Sequence, residues 1–169
     1  MGRLSTKENK SIYQVTREEL GLSREKASEL LDGISPERIE KIENEKSEPH
    51  PDEILAMSVA YKNPGLCNYY YSNGCPIGQK YVPEIKVKDL SQIVLEMVAS
   101  LNSMQRKQER FIEIVADGKI EEDEIKDFVN IQEQLEKISL TVKSLQLWSE
   151  QMLVNNVIDR DEYEKYRKK

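Results

Sequence analysis

Residues 35–49 read SPERIEKIENEKSEP. Ser35 followed by Pro36 is a helix start: the serine oxygen can satisfy an unpaired N–H of the first turn, and proline there sacrifices no hydrogen bond. Such a pair fixes the start of a short helix at Pro36. Glu37, Arg38, Glu40 and Lys41 then share the outer face. A short helix so charged buries one edge and offers the other to a partner, so the chemistry of that outer face decides the function.

The flanking residues extend the pattern. In LGLSREKASELL, residues 20–31, Ser23 is a second good N-cap with an acidic residue in the turn that follows, which predicts a helix near 24–31. LDGIS, residues 31–35, is the turn joining the two helices. NEKSEPHPDEILAMSVAY, residues 44–61, carries a proline at 49 ahead of a helix at about 52–61.

These three stretches resemble the helix-turn-helix domain of Cro and phage repressors, the xenobiotic-response-element (XRE) family of regulators. The resemblance covers residues 12–62 and implies four to five helices, the one near 24–31 bracing the phosphate backbone and the one near 36–43 entering the major groove with Ile39 and Ile42 facing inward. It implies DNA contacts from Arg24, Ser35, Glu37, Arg38, Glu40, Lys41, Asn44 and Lys46. Arg24 would meet a phosphate together with free backbone N–H groups. Arg38 and Lys41 would project toward bases, where arginine can grip guanine O6 and N7. Three features depart from the family. The turn is one residue longer than usual, Ala27-Ser28 stands where Leu-Ala is common, and Glu45 takes a position often held by glycine, which leaves Asn44 to supply any left-handed backbone. The chain also resembles a group of such regulators from Gram-positive gut bacteria, through LCNYYYSNGCPIG and DLSQIVLEMVASLNSMQ. In that group a third cysteine commonly stands where this chain has Tyr71.

Charge argues against a dedicated nucleic-acid binder. The chain of 169 residues has a net charge of −6, whereas such binders usually present a basic face. An apolar fraction of 38% and a charged fraction of 33%, with few Gly and Pro, favour an all-α fold. No apolar run is long enough for a membrane span, and MGRLSTKENK lacks the apolar core of a signal peptide, so a cytoplasmic location is expected.

Beyond a flexible arm at 1–11 and the domain at 12–62, residues 63–86 concentrate Gly, Pro, Asn and Tyr and read as an aromatic connector. Residues 87–169 contain no proline. There Val87, Leu90, Val94, Met97, Leu101, Met104, Gln108, Phe111 and Val115 alternate at spacings of three and four, a heptad seam. Phe128, Ile131, Leu135, Ile138, Val142, Leu145, Ser149 and Met152 form a second. The intervening ADGKIEED predicts a stop at Asp117-Gly118 and a restart at Glu121, giving an antiparallel hairpin. Asp159 with Glu162 predicts a cap for a short terminal helix at about 160–167. Leu140, Leu147 and Val154 form a further stripe that one partner helix cannot cover, which points to a third helix or a second subunit.

Rival chemistries find little support. Cys67, Cys75 and His50 are the only soft ligands, fewer than a structural zinc site uses, so no metal and no cofactor is expected. Asp117, Gly118, Ile120 and Glu124 match half a calcium loop, but Val115 falls where a ligand is required. No nucleophile–base pair or phosphate loop is present, so no enzymatic activity is expected. The sequence thus predicts a sequence-specific, repressor-like transcriptional regulator binding double-stranded DNA on paired half-sites, as a homodimer held by the C-terminal helices of residues 87–169. The alternative is a protein-interaction module that uses the fold without DNA.

Overall fold

The computed structural model describes residues 9–167; most of the arm expected at 1–11 lies outside them. Among the described residues all regular structure is helical. The fold divides into two units: one runs to Glu84 and resumes at Glu150, and the other is Ile85–Ser149.

In the first unit, α1 (Ile12–Glu19), α2 (Arg24–Leu30), α3 (Pro36–Glu43) and α4 (Pro51–Ala60) follow one another through short turns. Serine caps open three of them. Ser11 Oγ accepts from the Gln14 N–H, Ser23 Oγ from Lys26 and Ser35 Oγ from Arg38. The core gathers Tyr13, Ala27, Leu31, Ile34, Ile39, Ile42, Ile54, Met57, Tyr61 and Leu66. Each fully buried isoleucine there contributes roughly 1.5–3 kcal/mol. The long α2–α3 turn is held by Ser28, whose Oγ donates to the Ile34 carbonyl at 2.7 Å, and Gly33 supplies the left-handed φ of 86° that the turn requires. The substitution pair at 27–28 therefore has a local use: the small Ala27 is wholly buried, and Ser28 pins the extra residue.

The segment expected to be a connector is largely helical. It comprises α5 (Gly65–Tyr69), a π-helical turn (Tyr70–Gly74) and α6 (Pro76–Tyr81). Leu66 reaches the core, and the Tyr13 and Tyr69 rings meet edge to face at 5.9 Å. Gly78 lets α6 lie against the π turn, because a Cβ there would fall 1.8 Å from the Tyr71 carbonyl oxygen. The lack of helical periodicity in this stretch reflects three short pieces in sequence, each too brief to show a repeat. The C-terminal part of the same unit ends in α9 (Arg160–Tyr166), capped by Asp159, whose Oδ1 accepts from the Glu162 N–H at 2.8 Å.

The second unit is built on α7 (Leu90–Val115) and the greater part of α8 (Ile125–Val154). Arg110 Nε donates to Asp127 Oδ2 at 2.8 Å, tying the end of one helix to the start of the next. α8 begins at Ile125, four residues after the expected start at Glu121: the intervening residues form a turn in which Glu124 Oε2 accepts from the Glu121 N–H. The two heptad seams are only partly buried. Ile93 and Ile114, outside the predicted seam, are fully buried, whereas Val94, Leu101 and Val115, within it, are exposed. On α8, Ile131 is buried while Leu135 and Val142 are exposed; Leu147 of the further stripe is buried and Leu140 half-buried.

Candidate nucleic-acid interface

Ile39, Ile42 and Glu43 face the core from α3. This leaves Ser35, Glu37, Glu40 and Lys41 on the outer side, all exposed. Lys46, past the helix end, is exposed as well, and Asn44 is half-buried.

The arginines depart from expectation. Arg38 was expected to reach toward bases, but its guanidinium turns back along its own domain. Nε and Nη2 donate to the two carboxylate oxygens of Glu53, both at 2.6 Å, while Nη1 donates to Ser47 Oγ at 2.6 Å and Nη2 also to the Glu48 carbonyl. Glu53 in turn accepts from the His50 N–H at 2.7 Å, closing the start of α4. A bidentate arginine–carboxylate pair has few ways to be satisfied better elsewhere, so Arg38 fastens α3 to α4. The Arg38 hydrogen bond holds the Glu53 carboxyl below the usual carboxylate range, against a smaller opposing effect of burial.

Arg24 is also committed in part. Its Nε donates to Glu43 Oε2 at 2.9 Å, and its Nη1 stands 4.0 Å from Glu40. Glu43 is 1% exposed and receives Arg17 as well, Nε to Oε1 at 2.5 Å and Nη2 to Oε2 at 3.0 Å. Arg17 also donates to the Leu22 carbonyl. Burial alone would lower the Arg17 pKa, but the hydrogen bond and charge of Glu43 outweigh it and raise it. The result is a buried carboxylate between two guanidiniums that joins α1, α2 and α3.

Free backbone N–H groups at the start of α2 were expected to meet phosphate beside Arg24, yet both helix starts carry a glutamate. Glu37 occupies that position on α3. Its carboxyl is held below the ordinary range first by its own backbone N–H and then by the Ser35 hydroxyl. Glu25 does the same on α2 with its own N–H and Ser23. Each helix start thus carries its own anion. The sequence displays both glutamates two residues after a capping serine, so this part of the site was readable in advance.

His50, Cys67 and Cys75 do not assemble a metal centre: among the described residues no three His, Cys, Asp or Glu side chains are grouped to hold an ion. Both cysteines are free thiols, half-buried. Among the described residues no helix is long and apolar enough to cross a membrane.

Residues 16–64 match the family model described as Helix-turn-helix. No curated protein and no solved structure matched the chain.

Proposed function

We propose, from the premise that residues 16–64 are a helix-turn-helix domain of the Cro and phage-repressor type, that this chain is a repressor-like transcriptional regulator that reads DNA as a homodimer on paired half-sites. The observation that carries this reading is the seating of α3, which buries Ile39, Ile42 and Glu43 and leaves Ser35, Glu37, Glu40 and Lys41 projecting together. Lys41 is the residue best placed to reach base edges, Lys46 serves the flanking backbone, and Arg24 meets a phosphate with the part of its guanidinium that Glu43 does not occupy. Arg38 supports the reading helix from behind. Few contacts per subunit make a single domain weak, and a dimer doubles them at half-site centres roughly 34 Å apart.

Selection of bound duplexes from a randomised pool, followed by titration of the winner and of a scrambled duplex, tests this. Enrichment of a two-fold repeated site, lost with Lys41→Ala, is expected. Failure to enrich any sequence at ~50 mM salt, where phosphate attraction is strong, would sink it.

The second reading, a protein-interaction module, is favoured by the charge around the two helices. Glu25, Glu29, Glu37, Glu40 and Glu45 are exposed there against Lys26, Lys41 and Lys46. A basic protein partner would fit such a surface better than phosphate does.

A further inference from the structure

The second unit carries a wider uncharged arc than it buries. Along α7, positions 90, 91, 94, 97, 98, 101, 104, 105, 108, 111, 112 and 115 share one side of the helix, and none is charged. Glu109 borders this side, in line with Ser91, and the other charged residues of α7, among them Glu96, Arg106 and Lys107, lie elsewhere around the helix. Along α8, positions 128, 131, 132, 135, 138, 139, 142, 145, 146 and 149 are likewise free of charge. Burial follows one edge of these arcs. Ile93 and Ile114 are 0% exposed, whereas Leu101 is 50% and Ile112 58% exposed. Ile131 is 2% exposed, whereas Leu135 and Val142 are 43% and 42%.

The two uncovered strips lie together. In an antiparallel pair of helices, equal angular offsets from the shared seam fall on the same flank. On that rule Val94 and Leu101 of α7 belong to the same flank as Leu135 and Val142 of α8.

We propose that this flank seats a second copy of the same hairpin, closing a four-helix bundle about a two-fold axis near Leu101. The inference rests on the dimer reading above and adds the face that makes the dimer. Three features select this occupant. The uncovered strip is continuous with the hairpin's own seam through the half-buried Met97, Met104 and Phe111. Its polar members, among them Gln105, Gln108, Gln132 and Gln146, are uncharged, so the surface meets its own copy without repulsion and gives a charged peptide little to pair with. Its size also fits: 26 residues of α7 span about 39 Å. Two helices about 10 Å wide then present roughly 800 Å² per partner, the share of a standard stable interface.

Sedimentation equilibrium of the full chain tests the face, with helicity checked by circular dichroism. The unmodified protein is expected to be a dimer at tens of micromolar, on the order of common dimer affinities. Val94→Gln with Leu101→Gln should weaken it roughly 100-fold, four apolar side chains per dimer being lost from the contact. Arg106→Gln, off the strip, should change nothing. As a second route that does not depend on disrupting the fold, Leu101→Cys in a Cys67→Ser/Cys75→Ser background should cross-link two chains on mild oxidation. A dimer that persists in the glutamine pair and gives no cross-link overturns this face and leaves the dimer reading standing. A monomeric unmodified protein overturns both.

Discussion

At the scale of single residues, the domain uses its arginines as internal fasteners. Glu43 is withdrawn from solvent between Arg17 and Arg24, and Arg17 is itself only 5% exposed. Removing one partner of such a group leaves a buried charge uncompensated, so Glu43→Ala should cost about 3–5 kcal/mol in urea unfolding. A loss below about 1 kcal/mol, the size of a surface pair, would show that the network is not structural. Arg38 makes a separable prediction. Because Arg38 lowers the folded-state pKa of Glu53, the pair's contribution is fully present above the ordinary carboxylate pKa and is lost as pH falls through the depressed folded value. Arg38→Ala should therefore destabilise the protein by about 1–3 kcal/mol at neutral pH, and the gap from the unmodified protein should narrow as pH drops below ~4. A gap constant with pH would mean that the Glu53 charge plays no part in it.

At the scale of elements, the backbone at the end of α3 offers a stabilising change. Asn44 was expected to provide the left-handed residue there, but Asn44 has φ −93° and Glu45 itself takes φ 55°. A Cβ in that region is strained, and glycine removes the strain. Glu45→Gly should raise stability by about 0.5–1 kcal/mol, read as a higher thermal midpoint. A lower midpoint would mean that chain entropy or a contact of Glu45 outweighs the strain. This element also shows what was legible in the sequence. The serines at 23 and 35 and Pro36 placed the starts of α2 and α3, because capping is local, and the family resemblance supplied their extents and the inward pair Ile39 and Ile42. The Tyr-rich stretch shows no helical period in sequence because its helices are short pieces joined by a π turn, and close approach at Gly78 is a tertiary fact. The heptad seam of α7 was found in outline but rotated: apolar spacing identified the whole uncharged arc, and only packing divides it into a buried edge with Ile93 and Ile114 and an open one with Leu101. For the candidate site, residue type was readable and direction was not. Nothing near Arg38 in sequence reveals that Glu53, fifteen positions on, claims its guanidinium.

At the scale of the whole molecule, a net charge of −6 has to be reconciled with a partner made of phosphates. The exposed cations around α3 are Lys26, Lys41 and Lys46, with part of Arg24, so a dimer of the proposed kind would neutralise roughly six to eight phosphates. At about 0.9 per phosphate, the logarithmic salt slope should be near −5 to −7, and the background affinity for random duplex should be low. Glu37 and Glu40 lower it further: both are exposed on the outer face of α3, and Glu37 fills the helix start where a phosphate would otherwise accept N–H bonds. On the proposed reading, repulsion of this kind would act at every sequence and base contacts by Lys41 only at the right one, so the glutamates would increase discrimination at the expense of affinity. Replacing Glu37 and Glu40 by glutamine together should tighten binding to random duplex about tenfold at ~50 mM salt while tightening the selected site less. Fluorescence anisotropy on labelled duplexes measures both. If the double variant still ignores DNA at that salt, the outer face of α3 is not a groove surface, and a basic protein partner becomes the ligand to seek.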